Sequence, residues 1–311
     1  DTDPLGPPLF GAAAPTTGRF IVVFADGADA RSMLAETAGL REVADSRDFA
    51  SQAVDFGAAE GSDAVWFDRL GVAVVSAAPD QLGALRTAEA GNAAIVSVSP
   101  ELIHHVLADA GYVQGSRDGV NDLAGRLGAT GATGEAAAAA PKPPFADNAQ
   151  FTWGLQATGA ATSPQSGAGI KVAVLDTGFD VGHPDFAGRN VTTQSFVAGE
   201  TVQDGHGHGT HCIGTSCGSK APDTGPRYGV AYGAPIFAGK VLGDNGSGSD
   251  GNIIAGINWA IENQCHIVSM SLGADVAQVH PPYTVVGKRA LDAGTLIVAA
   301  AGNNADRRVG N

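Results

Sequence analysis

Several things are scarce in this sequence. Its 311 residues include three cysteines, two methionines and 6% aromatic residues. Charged residues are 16%, against about 25% in ordinary globular domains. Three cysteines (Cys212, Cys217 and Cys265) cannot all pair, which excludes a disulfide-stapled scaffold. Cys212 and Cys217 fall in one expected helix at a spacing that puts them beyond bridging distance, so buried free thiols are expected. No apolar run approaches the roughly 18–20 residues that span a bilayer, so no membrane partner is expected. Bases are few: 18 Lys and Arg face 32 Asp and Glu, a net charge of −14. Such a chain repels phosphate backbones, which argues against nucleic acid as a partner. The first residue is Asp1, with no Met and no charged-then-apolar leader before it. Either a signal peptide has been removed or the sequence was started there. With only five lysines and net acidity, a secreted protein of bacterial type is the expectation.

Glycine is abundant, 44 of 311, about twice the usual share. The glycines sit between apolar segments, which points to tight turns and close backbone approaches rather than disorder. The length fits two domains. The acidity is uneven: residues 1–150 carry a net −11 and residues 151–311 a net −3.

Residues 1–18, rich in Pro, Gly and Ala, read as a loose arm. Residues 19–107 read as a small α/β unit. A β-rich run over 20–24 leads to a helix from Asp29 to Leu40, then strands at 65–67 and 72–75. A helix opened by Pro79 and Asp80 follows, with Leu82 and Leu85 at helical spacing, and a last strand spans 94–98. The order is βαββαβ. Residues 108–150 form a linker, with one short helix suggested by Leu123 and Leu127, then Gly/Thr/Ala repeats, five alanines and a Pro-rich end. From 151 to 311 strands alternate with helices: 170–175, a helix from His208, 236–242, a helix over 252–263, 267–272, a helix around 283–293, and 295–300. Continuous apolar strands alternating with helices predict a doubly wound parallel sheet. Sites in such sheets lie beyond the carboxyl ends of the strands. Asp176 ends one strand, and Asn303 closely follows another.

A carboxylate can orient an imidazole, the imidazole can deprotonate a hydroxyl, and an amide can stabilise the resulting oxyanion. Here Asp176 sits in Asp-Thr-Gly, His208 opens His208-Gly-Thr-His211, Ser271-Leu272-Gly273 follows, and Asn303 ends Ala-Gly-Asn. In this order, with His208 32 positions after Asp176, the chain resembles the subtilisin-like serine proteases. The resemblance covers about residues 150–311. It implies Asp176 as triad acid, His208 as general base and Asn303 as oxyanion donor. It implies Gly246, Ser247 and Gly248 as the edge strand that pairs with an extended protein or peptide substrate. Ser271, Leu272 and Gly273 become one wall of the main specificity pocket. Residues 19–107 look like the family's inhibitory propeptide, a partner of the catalytic unit, whose tail, Val98 to His105, fills the cleft until cleavage somewhere in 104–150. His104 and His105 are expected at the surface in a neutral role. No cofactor is implied for the chemistry. A structural calcium at Asp185 is a family-level possibility, although the loop from Gly218 to Gly229 departs in composition. Cys212 resembles the free cysteine that some proteinase-K-like members keep under the catalytic histidine.

The family's third motif, Gly-Thr-Ser-Met-Ala, is expected about 60–70 residues past Asn303 and is absent from these 311 residues. Gly214-Thr215-Ser216 falls in the helix of His208, with its hydroxyl expected to point away from the base. A companion segment carrying the serine is therefore expected, whether by truncation or by nicking of a longer chain. Three other readings compete. His206, His208 and His211 with Asp204 have the composition of a zinc site. Gly246-Ser-Gly248-Ser-Asp-Gly251, with Asp275 beyond, matches a dinucleotide fingerprint. An inhibitor domain fused to a dead protease half would be a binding module.

Overall fold

A computed structural model of the chain describes residues 14–49, 61–91, 94–106, 145–223, 225–274, 276 and 278–302. The expected linker helix near Leu123, Asp275 and Asn303 lie outside the described residues.

The first unit runs β1 (Thr16–Phe24), α1 (Ala30–Ala38), β2 (Val43–Asp45), β3 (Ala64–Phe67), β4 (Val72–Val75), α2 (Pro79–Gly91) and β5 (Ile95–Val106). The Asp29 carboxylate caps α1 by accepting from the Ser32 N–H at 3.1 Å, and Gly39, at φ 69°, ends it in the left-handed conformation. Three boundaries differ from the sequence reading. β1 begins at Thr16, inside the stretch read as an arm, because Thr16 has a cross-strand partner in Leu102. β2 was not anticipated; three residues are too few to show a period, and parallel pairing with β3 creates it. The last strand runs on from Val98 to Val106. Pro100, which has no N–H to donate, stands exposed near the point where β5 leaves β1 for new partners.

The second unit runs α3 (Trp153–Ala157), β6 (Val172–Asp176), β7 (Val191–Ser195), α4 (His208–Cys217), β8 (Ile236–Lys240), β9 (Ser247–Ser249), α5 (Asp250–Glu262), β10 (Ile267–Met270), β11 (Leu272–Gly273), α6 (Pro281–Asp292) and β12 (Leu296–Ala299). Five strands form a parallel sheet in the order β12-β10-β6-β8-β7. Every residue of β6 and β8 is buried, as central strands covered on both faces require. β7 was not anticipated, since its Val-Thr-Thr-Gln-Ser lacks an apolar run and sits half-buried at the sheet edge. The unit's ordered contacts begin before residue 151: Asp147 accepts from the Trp153 N–H at 2.6 Å.

Period-2 alternation in the first unit buries both faces of its sheet. Val22, Phe24, Trp66, Ala73 and Val75 pack with Leu34 of α1 and Leu85 of α2. Ile21, Val23, Val65, Phe67, Val72 and Val74 join one apolar cluster with Ile253 and Ile257 of α5 and Val286 and Ala290 of α6. The small sheet thus uses helices of the second unit as its second cover.

Candidate active site

Asp176 ends β6, 1% exposed. Its Oδ1 accepts from the Thr177 N–H at 2.8 Å and lies 2.7 Å from His208 Nδ1; its Oδ2 is buried without a hydrogen bond. His208 is the first residue of α4, and the helix start is fixed by Asp204. One Asp204 oxygen accepts from the His206 and Gly207 N–H groups and the Thr177 hydroxyl, the other from the N–H and hydroxyl of Thr210. Burial pushes the Asp204 carboxyl up; the hydrogen bonds from Thr210, Gly207 and Thr177 outweigh it and hold the carboxyl below its ordinary value. Asp204 thus fixes the turn that presents His208. Gly209 has no side chain for a steric reason: a Cβ there would lie 2.4 Å from the Gly178 carbonyl, so helix and strand end could not approach.

The hydrogen bond that His208 donates to Asp176, and after it the contact with the Cys212 sulfur, raise the His208 pKa against the opposing effect of burial. The pair favours the imidazolium, the species a general base becomes on taking a proton. The Cys212 sulfur lies 3.8 Å from Nδ1 and 4.0 Å from Nε2.

A cleft opens near this pair, and β5 lies in it: Val106 and His206 both border Gly246, and the His206 ring stands 6.2 Å from that of His208. Ile103, His104 and His105 pair antiparallel with Ser249, Gly248 and Ser247 of β9. On the other side His105 and Val106 pair with Gly273 and Leu272 of β11. The Val106 N–H donates to the Gly246 carbonyl at 2.9 Å. Glycine at 248 is needed because a Cβ would fall 2.2 Å from the Val241 carbonyl. Residues 246–248 and 271–273, which the sequence reading assigned to an edge strand and a pocket wall, therefore form the two rims of one strand-accepting cleft.

Beneath the tail are two buried carboxylates that the sequence reading did not single out. Glu101, 0% exposed, receives two bonds from Arg19, one from the Thr17 hydroxyl and one from the Gly251 N–H at α5's first turn. Asp250, also 0% exposed, accepts from the Leu102 N–H at 2.7 Å and lies 2.6 Å from His104 Nε2 and 3.1 Å from His280 Nε2. Burial alone would raise the Asp250 carboxyl; hydrogen bonds to His104 and His280 overcome that and hold it well below the usual carboxylate range. His104 is therefore not a surface residue: it is 6% exposed, while His105 stays exposed with Nδ1 2.9 Å from the Ser247 hydroxyl. Strand alternation could have flagged the difference, had β5 been carried past Val98. At the far side, Arg289 of α6 donates to the carbonyls of Phe24, Leu70 and Gly71 and to Asp26.

The competing readings meet specific obstacles. His206, His208, His211 and Asp204 do not converge; among the described residues the one group of three ligand types is Asp176, His208 and Cys212. The start of α5 cannot be a phosphate loop here, because the anion on its Gly251 N–H is Glu101 and the Gly246 carbonyl is taken by Val106. Asp185, the residue of the calcium possibility, has Oδ1 accepting from the Asp223 N–H at 2.9 Å and Oδ2 from the Tyr228 hydroxyl at 2.6 Å. The Ser216 hydroxyl donates to the Cys212 carbonyl one turn back.

The three thiols are unpaired. Burial raises Cys217 to about 11 and Cys265 to about 12. Burial also pushes Cys212 up, but hydrogen bonds with His208, His211 and Ser271 more than offset it, and the net shift is downward. Since the thiolate is the nucleophile, limiting iodoacetamide on the native chain is expected to label Cys212 first. Peptide mass mapping checks the order; equal labelling of all three would contradict it.

The architecture and site together define a class: a doubly wound α/β unit whose strand end carries a carboxylate–imidazole pair at the mouth of a strand-binding cleft. Residues 167–311 match the model of the subtilase family. Subtilisin Savinase of Lederbergia lenta is 42% identical over 156 residues, 49% of this chain and 55% of that one. The major intracellular serine protease of Bacillus subtilis is 43% identical over 148 residues, 45% of this chain and 44% of that one. The extracellular serine proteinase of a Thermus species is 34% identical over 171 residues, 51% of this chain and 39% of that one. Over residues 167–311 the second unit is therefore similar to the subtilase family. The chain spans about half the length of the curated relatives it matches or less. Among the described residues no helix is long and apolar enough to cross a membrane.

Proposed function

We propose that this chain is the propeptide and the N-terminal part of the catalytic domain of a secreted subtilisin-like endopeptidase. The observation that carries the reading is the seating of residues 103–106 between β9 and β11, near the Asp176–His208 pair. In the working enzyme His208 takes the proton of a serine on a companion segment as its oxygen attacks a peptide carbonyl. Asp176 holds the Nδ1–H tautomer and balances the imidazolium; Asn303 donates to the oxyanion; an acyl-enzyme forms and is hydrolysed. No cofactor enters the chemistry. The sheet rims bind any extended peptide backbone, so substrates are proteins or peptides. Before cleavage the molecule is a zymogen: β5 holds the place of substrate, and the cut falls on the C-terminal side of Val106. Secretion is supported by composition and by one relative's name, while another relative is an intracellular enzyme.

The test is expression of the 311 residues together with the Gly-Thr-Ser-Met-Ala segment. Autoprocessing, followed by hydrolysis of a casein substrate that a serine-directed organophosphate abolishes, is the expected result. A chain that binds peptides but never acylates would instead be a binding module. In the active enzyme, Asn303→Ala is expected to lower turnover about 10²–10³-fold with little change in KM. A near-wild-type kcat would remove its assigned role.

A further inference from the structure

The segment from Leu102 to Val106 also carries information about substrates, because it occupies the cleft with a definite register. Beyond His104 lies a cavity of about 510 Å³ lined by Leu102, His104, Met270, Leu272, Tyr283 and Ile297. Judged by this lining alone, the position would take an apolar side chain. Asp250 changes that judgement. It is the first residue of α5, fully buried, and its side chain faces the cleft strand and not the catalytic pair. Two of these hydrogen-bond partners, the Leu102 N–H and His104, belong to the tail; His280 belongs to the second unit, as does Tyr283, a buried hydroxyl beside the carboxylate. His104 is fixed further by edge-on packing on Tyr283 at 5.6 Å. Once the tail leaves, Asp250 keeps one of these three partners, and an occupant must restore the others. A substrate backbone restores the N–H through the same strand pairing. A donor-bearing side chain restores the rest, and a cationic one does so best because it also balances the charge; an apolar one buries a carboxylate short of donors.

We infer that Asp250 makes the substrate residue that pairs with Gly248 selective for histidine, lysine or arginine over apolar residues of similar size. The inference rests on the protease reading above. Glutamate and aspartate at this position are excluded by like-charge contact with Asp250. The neighbouring positions are not constrained in this way: His105 is exposed and meets only the Ser247 hydroxyl.

The experiment uses the processed, serine-bearing enzyme and fluorogenic peptide libraries randomised singly at each of the four residues before the scissile bond. At one position, and one only, kcat/KM for basic residues should exceed that for leucine by about 10- to 100-fold, the discrimination a charged hydrogen bond provides. In Asp250→Leu the order at that position should invert, with the other positions unchanged. A second arm works in the zymogen: His104→Lys should keep the cleaved propeptide seated, and His104→Leu should release it faster. Cleavage with an apolar preference or with none, or a basic preference that persists in Asp250→Leu, overturns the inference and leaves the protease reading standing. Should Asp250→Leu not fold, equal release from the two His104 variants overturns it as well. Failure to cleave any peptide would fall on the protease reading itself and take this inference with it.

Discussion

Asp176→Asn, introduced into the serine-bearing enzyme, is expected to lower kcat on a peptide amide by about 10⁴-fold while KM stays within a few-fold. The reason lies in which proton sits on His208. Asp176 Oδ1 is 2.7 Å from Nδ1 and also accepts from the Thr177 N–H. A carboxylate there can only accept, so it fixes the proton on Nδ1 and leaves Nε2 free to act as base. A carboxamide can present its NH₂ to Nδ1 and stabilise the opposite tautomer. It also removes the charge that balances the imidazolium. On the proposed reading the loss falls on kcat, because substrate would pair with β9 and β11, which the substitution leaves alone. The same variant should fail to cut its own propeptide, so it accumulates as intact zymogen on a denaturing gel. Retention of more than a tenth of wild-type kcat would mean that Asp176 has only a structural part.

Much of this site was legible before any coordinates, and the reasons are local. Asp176, His208 and their flanking glycines must stand at fixed places on a strand end and a helix start, and the sterics at Gly209 show why the neighbours are small. The doubly wound sheet announced itself through β6 and β8, whose apolar runs are dictated by burial on both faces. What escaped notice depends on contacts between units. Glu101, Asp250 and His280 are ordinary polar residues in sequence; they matter because β5 and α5 meet across 146–150 positions of chain. His104 looked like half of a polar His-His pair, and only the strand's alternation separates the buried ring from the exposed one. β2 and β7 were missed for the complementary reason: short or polar strands owe their existence to their partners, and no periodicity in their own residues reveals them.

A pair inside the first unit, seated against the start of α5, supports the second large effect. Arg19→Met is expected to weaken retention of the cleaved propeptide by about 10²–10³-fold. Glu101 is fully buried and takes a two-point bond from Arg19 at 2.6 and 2.9 Å, while Arg19 itself is only 28% exposed. Removing the guanidinium leaves a buried carboxylate with the Thr17 hydroxyl and the Gly251 N–H as remaining donors. Breaking a buried pair from one side costs about 3–5 kcal/mol, because the surviving charge is uncompensated. Surface pairs are worth far less, so Lys288→Ala, which breaks the exposed pair with Asp292, should leave retention unchanged. Part of the Arg19→Met loss would be local unfolding of β1, and the double variant Arg19→Met with Glu101→Gln separates the two effects. A neutral amide in place of the stranded charge should recover a good part of the affinity if electrostatics governs the loss, and none if β1 has simply come apart. The readout is the activity regained when the autoprocessed complex is diluted, since each free enzyme reports one departed propeptide. Retention that does not change in Arg19→Met would mean that the apolar face of Ile21, Val23, Phe67 and Val74 on α5 and α6 holds the two units together alone.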